Sequence, residues 1–86
     1  MRPLNYAMLK YFTTAGEACV DDVMTALKGD YSSFSAFKRD KMQEALMTEK
    51  NGLIAESRVD LDSNGDLRVF YSATPEQRDT INSYIQ

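Results

Sequence analysis

The chain has 86 residues, 43% of them hydrophobic and 27% charged, which predicts one small globular domain rather than a disordered or membrane-spanning chain. The composition, with no histidine and a single cysteine, Cys19, excludes a Ser-His-Asp triad, a Cys-His pair and a cysteine-rich metal site. The net charge of −3 counts against a protein that holds nucleic acid by overall positive charge. We therefore expect no enzymatic activity, no cofactor and no membrane segment. Because the N-terminus lacks the apolar stretch of a signal peptide, we expect a cytoplasmic protein.

Two helices are predicted in the first third of the chain. From residue 3 to about residue 14, apolar side chains follow the spacing of one helical face: Leu4, Ala7, Met8, Tyr11 and Phe12. Residues 20–28 repeat this pattern in a shorter helix. Asp21 and Asp22 lie in its first turn, where the helix dipole favours acidic side chains. We expect Gly29 to end this second helix.

The longest predicted helix covers residues 33 to about 50. Ser33 can cap its start, and the Asn51-Gly52 pair is a typical helix end. On a helical wheel, Phe34, Met42 and Leu46 fall on one side and are expected to face the core.

A β-hairpin is predicted to follow, with one arm from Leu53 to about Leu61 and the other from Leu67 to about Tyr71. Apolar and polar residues alternate along the second arm, as in a half-buried strand. Between the arms, Asn64-Gly65 readily adopts the positive φ angles of a tight turn.

The last predicted element is a helix from Pro75 to near the end of the chain. Thr74 is suited to cap it, and Gln77 completes a T-x-x-Q capping box. The predicted fold class is therefore α+β and mostly helical: three helices, a two-stranded hairpin and a C-terminal helix around one core.

This order of elements, together with four short motifs, resembles the winged helix-turn-helix superfamily of bacterial regulators. Residues 7–12 and 22–27 are similar to the first and second helices of these proteins. The K-N-G-L-I segment at 50–54 resembles their exit from the third helix, and Y-S-A-T-P-E at 71–76 resembles their return from the wing. The resemblance implies a single winged-helix domain over residues 1–86 and a transcriptional regulator whose third helix enters the major groove of double-stranded DNA.

Basic residues cluster in the first half of the predicted third helix, where the resemblance places the contacts to DNA. In this region, Arg39 is suited to read guanine through two hydrogen bonds, and its neighbouring lysines are suited to bind phosphate. Serine hydroxyls can bind phosphates or base edges. The predicted DNA-binding residues are Ser33, Ser35, Lys38, Arg39, Lys41 and, on the wing, Arg58. The alternative for the basic cluster is an ordinary solvated helix face.

The predicted wing is acidic, which departs from the basic wing usual in the superfamily. Asp60, Asp62 and Asp66 near its tip would repel phosphate. The alternative function is therefore a protein-interaction module that uses these carboxylates to bind a partner with a basic surface and does not bind DNA. Residues 60–66 also match the first half of a calcium loop. Because position 12 of that loop is Tyr71 rather than glutamate, a hairpin turn explains them more simply.

Apolar residues in excess of the predicted core suggest a contact between two copies of the chain. Tyr6, Met47 and Tyr84 are the candidates for an exposed apolar patch. Because winged-helix regulators often pair through their terminal helices, the resemblance implies a homodimer as one alternative and a monomer as the other.

Overall fold

The computed structural model describes residues 1–49 and 52–85. Its elements, in chain order, are α1 (Leu4–Tyr11), α2 (Val20–Tyr31), α3 (Arg39–Glu49), β1 (Ala55–Leu61), β2 (Leu67–Ser72) and α4 (Pro75–Tyr84). The predicted order of three helices, a hairpin and a last helix is confirmed. Lys50 and Asn51 lie outside the described residues, and so does the predicted end of the third helix near residue 50.

Apolar side chains from all four helical segments and from the hairpin region meet in a common core. Each contributes a side chain with no exposed surface: Phe12 directly after α1, Val23 of α2, Leu46 of α3, Ile54 before β1 and Ile81 of α4. Elements this short cannot shield an apolar face alone, so the fold depends on packing them together.

Tyr71 of β2 connects the hairpin to two other parts of the chain. Its N–H donates to the carbonyl oxygen of Ala18 and its carbonyl oxygen accepts from the N–H of Ala18, both over 2.9 Å. Its ring is buried, and its hydroxyl accepts a hydrogen bond from Nε2 of Gln43 on α3 at 3.0 Å. This residue therefore holds the hairpin against the segment before α2 and against α3.

The second helix continues beyond Gly29, where its end was predicted, and stops at Tyr31. Tyr31 is buried, and its hydroxyl donates to the carbonyl oxygen of Arg2 at 2.6 Å. Its ring also contacts that of Phe34, with centroids 4.9 Å apart. A glycine inside a helix, such as Gly29, lowers the stability of the helix by about 1 kcal/mol relative to alanine. Burial of the Tyr31 ring contributes more than this loss, so the helix continues through Gly29.

The prediction that the third helix begins at residue 33 is wrong, because α3 begins at Arg39. Residues 32–38 instead form a turn, in which the N–H of Phe34 donates to Tyr31 and the N–H of Phe37 donates to Phe34. Because α2 extends to Tyr31, it includes residues that were predicted to connect the second and third helices. The connection therefore extends into residues that were predicted to begin the third helix. Phe34 remains 40% exposed in this turn rather than facing the core.

The hairpin is antiparallel and its tip contains the predicted Asn-Gly pair. Gly65 has a φ of 83°, and its N–H donates to the carbonyl oxygen of Asp62 at 3.0 Å. Oδ1 of Asp62 accepts from the N–H groups of Asn64 and Asp66 at 2.8 and 3.0 Å. The carboxylate of Asp62 therefore stabilises the turn.

The capping box predicted for the last helix is present. The N–H of Gln77 donates to Oγ1 of Thr74 at 3.1 Å, and the N–H of Thr74 donates to Oε1 of Gln77 at 3.0 Å. Gln77 also donates through Nε2 to the carbonyl oxygen of Gly52 at 2.9 Å, which links the start of α4 to the chain entering the hairpin.

We expect Thr74→Ala to lower the free energy of unfolding by about 1 kcal/mol, because it leaves an N–H at the start of α4 without its acceptor. Urea unfolding followed by circular dichroism measures the change. Thr80→Ala is the matched control, since Thr80 is exposed on the same helix and its hydroxyl donates to the carbonyl oxygen of Glu76 within that helix. A loss for Thr80→Ala equal to that for Thr74→Ala would contradict the assignment of the cap.

Candidate nucleic-acid interface

Arg39, the first residue of α3, is bound by a carboxylate of α2. Its Nε donates to Oδ1 of Asp21 at 2.9 Å and its Nη2 donates to Oδ2 at 3.3 Å. The hydrogen bonds that Arg39 donates to the carboxylate of Asp21 raise the pKa of Arg39 above its ordinary value. Both side chains are more than half exposed, at 57% and 55%. Exposed pairs of this kind contribute about 0.2–1 kcal/mol, so the contact opens readily.

Lys38 and Lys41, on either side of Arg39 in the sequence, differ from it in having no ion-pair partner among the described residues. Both are exposed, and neither ammonium group makes an ion pair or hydrogen bond to the residues that the structure describes. Lys38 lies on the turn rather than in the helix, whereas Lys41 lies in the first turn of α3. The two lysines therefore flank Arg39 along the chain as cations without an ion-pair partner in the described part of the chain. The exposed carboxylate of Asp40 lies beside them, and its Oδ1 accepts from the backbone N–H of Lys41 at 2.9 Å.

Ser33 and Ser35 are exposed, as a contact with DNA requires, but they lie in the turn before α3. Within residues 1–49 and 52–85 their hydroxyl groups make no hydrogen bond, so both remain free to donate. The sequence assigned them to a helix because serines are good helix caps. Their position is set instead by the burial of Tyr31.

Arg58 of β1 is held by two carboxylates and one aromatic ring. Its Nε donates to Oε1 of Glu17, and its Nη1 donates to Oδ2 of Asp60 at 2.9 Å. Its guanidinium carbon lies 3.9 Å from the ring centroid of Phe70. Arg68 completes the cluster by donating to Asp60 at 3.2 Å. Charge on this face of the hairpin is therefore balanced within the chain.

Glu17 and Asp21 place the start of α2 between the hairpin and α3. The two acids are four residues apart, and they contact Arg58 and Arg39 respectively. The carboxylate of Asp62 at the hairpin turn also acts electrostatically on Arg39. Ion pairs therefore link the chain at the start of α2 to both the start of α3 and the salt-bridged face of the hairpin.

Sequence reasoning missed both acids as arginine partners. Asp21 and Arg39 are 18 residues apart, and Glu17 and Arg58 are 41 residues apart, so no local pattern pairs them. For Asp21 the available signal was its place in the first turn of α2, next to a basic helix in a helix-turn-helix, whereas Glu17 precedes α2 and had no such signal.

The three aspartates of the hairpin do not form one free acidic patch. Asp60 lies between Arg58 and Arg68, and the hydrogen bond from Arg58 lowers its pKa. The carboxylate of Asp62 binds turn N–H groups, and Asp66 is exposed. Among the described residues, no group of three or more acidic or cysteine side chains is arranged to hold a metal ion.

Exposed apolar side chains occur on the opposite face of the hairpin and at the ends of the chain. On the hairpin, Val59, Leu61 and Leu67 are 45%, 62% and 70% exposed. Tyr6 of α1 and Tyr84 of α4 contact each other edge to face with centroids 6.3 Å apart. Met47 is exposed on α3. Pairing of two copies through the terminal helices stays a prediction.

Comparison with solved structures finds a similar fold in a protein crystallised with DNA. The crystal structure of Bacillus subtilis PadR in complex with operator DNA matches with a TM-score of 0.72 and 21% identity over 98% of this chain. The chain has the winged-helix fold. It spans 47% of the length of the PadR chain. No protein-family model matches the sequence, and no curated protein matches it.

Within the winged-helix fold, α3 is the second helix of the helix-turn-helix and the β1–β2 hairpin is the wing. The helix starts with Arg39, Asp40 and Lys41, and the turn before it presents Ser33, Ser35 and Lys38. Of the six predicted DNA-binding residues, only Arg58 lies on the wing. No helix within residues 1–49 and 52–85 is long and apolar enough to cross a membrane.

The ion pair between Glu17 and Arg58 predicts loss of stability in acid. Hydrogen bonds from Arg58 and Ser57 lower the pKa of Glu17 in the folded protein. The unfolded chain therefore takes up this proton first, and the stabilisation present above the unfolded pKa is lost as pH falls through the folded pKa. We expect Glu17→Gln to make the urea midpoint depend less steeply on pH below about pH 5.

The control for this measurement is Asp79→Asn, which removes an exposed carboxylate of α4 that has no ion pair among the described residues. It should leave the pH dependence close to that of the wild type. An unchanged slope in Glu17→Gln would mean that the ion pair does not contribute in solution.

Proposed function

We propose that this chain is a DNA-binding transcriptional regulator that reads the major groove with α3. The observation that carries the proposal is the pair of exposed lysines, Lys38 and Lys41, at the start of the recognition helix of a winged-helix fold. The similarity to a protein crystallised with operator DNA supports it. In this function the 86 residues act as one DNA-binding unit in the cytoplasm, without a cofactor or catalytic step.

The basic residues would contribute differently to binding. Lys38 and Lys41 bind phosphates as point charges, since nothing described in the chain competes for them. Arg39 reads a guanine or binds a phosphate after it leaves Asp21. Ser33 and Ser35 donate to backbone phosphates from the turn. Arg58 chiefly maintains the wing, because Glu17 and Asp60 already satisfy it.

Local charge supports DNA binding in spite of the acidic composition. Asp60 is paired with two arginines, so the wing repels phosphate less than its sequence implies. The same pairing weakens the alternative of an acidic docking surface for a basic protein, because Asp60 and Asp62 are already engaged. With few free cations, binding to random DNA should be weak and should depend on only a few released counterions.

We expect the wild-type protein to bind a labelled random-sequence duplex weakly at low salt and to release it as salt rises. Lys38→Ala and Lys41→Ala should each lower the affinity and reduce the slope of log affinity against log salt by about one. Fluorescence anisotropy at several salt concentrations measures both quantities. Selection from a random library then identifies the preferred site.

Lys28→Ala is the matched control for these variants, because it removes an equal charge from an exposed residue of α2 outside the turn and α3. It should change the slope less than either variant at the start of α3. Absence of any binding by the wild type at low salt would contradict the proposed function. Equal effects for all three lysines would contradict the assignment of the site.

A further inference from the structure

The paired hydrogen bonds to Asp21 occupy part of the group that Arg39 would offer to DNA. Asp21 binds the Nε–Nη2 edge of the guanidinium, one of the two edges with which arginine makes paired hydrogen bonds to a carboxylate, a phosphate or a guanine. The carboxylate also offsets the positive charge of Arg39. A phosphate or a base that approaches this residue must therefore displace Asp21 or share the guanidinium with it.

Asp21 is not required for the cap of its own helix. That task belongs to Asp22, whose Oδ2 accepts from the N–H of Cys19 at 3.0 Å. Asp21 is exposed, and its described hydrogen bonds go to Arg39. Its carboxylate lies in the first turn of α2, where the helix dipole favours a negative charge, and its described hydrogen bonds position Arg39 and offset its charge.

Resting on the proposed function, we propose that Asp21 is an intramolecular competitor of DNA for Arg39. In the free protein it holds the guanidinium against α2, and in the complex a phosphate or guanine replaces it. Both side chains are more than half exposed, so water and anions reach the pair and the exchange needs no unfolding. Asp21 thereby weakens binding to random DNA and favours sites with an acceptor placed to take Arg39.

Because Asp21 competes with DNA for Arg39, removing the charge of Asp21 should increase the affinity of the protein for a random duplex. Exposed ion pairs are weak, so the expected gain for Asp21→Asn is about two- to fivefold at low salt. The salt slope should become steeper, because Arg39 then meets phosphate as an uncompensated cation. Removal of a distant carboxylate by Asp79→Asn should leave both quantities nearly unchanged.

The test is a double-mutant cycle read by fluorescence anisotropy on the same random duplex. The four proteins are the wild type, Asp21→Asn, Arg39→Ala and the variant carrying both substitutions. Circular dichroism and thermal unfolding of each protein identify the temperature at which all four are folded, and the titrations are made there. We expect Asp21→Asn to increase affinity in the wild-type background and to have no effect in the Arg39→Ala background.

An equal gain in both backgrounds would overturn the proposal, because Asp21 would then act on DNA by direct repulsion and not through Arg39. No gain in the wild-type background would overturn it as well. In either case the wild type still binds and the proposed function stands. If the wild type and Asp21→Asn both fail to bind at low salt, the proposed function fails and the competition fails with it.

Discussion

Tyr71 is the residue on which the relative placement of the elements depends. Its backbone forms two hydrogen bonds with Ala18, its ring fills the core, and its hydroxyl accepts from Gln43 of α3. A two-stranded hairpin is marginal alone in water, so the wing needs such an anchor. Because Ala18 lies between Glu17 and α2, the anchor also brings the acid that pairs with Arg58 next to the wing.

A second consequence of this packing is that the arginines of the interface side are balanced by acids of the same chain. Arg39 pairs with Asp21, while Arg58 and Arg68 share Asp60. Positive charge available to a phosphate is thus concentrated in Lys38 and Lys41. This distribution reconciles a net charge of −3 with the proposed binding of DNA, because association depends on the local field rather than on the sum.

Local signals account for the parts of the fold that sequence reasoning predicted well. The Thr74–Gln77 capping box and the glycine of the hairpin turn depend on neighbouring residues, and both are present. The start of α3 was predicted wrongly because it depends on where α2 ends, and α2 extends to Tyr31, whose hydroxyl bonds to Arg2, 29 residues away. At the site, the sequence indicated the basic residues but not the acids that bind two of them.

The sequence alone determined the number, type and order of the elements, since helical periodicity, strand alternation, caps and turns are properties of short stretches. It also determined which residues carry positive charge near the third helix. Only the packed structure decided that Ser33, Ser35 and Lys38 lie on a turn and that Arg39 and Arg58 are paired while Lys38 and Lys41 are free. The physical reason is that an ion pair between distant residues exists only after the common core has brought their backbones together.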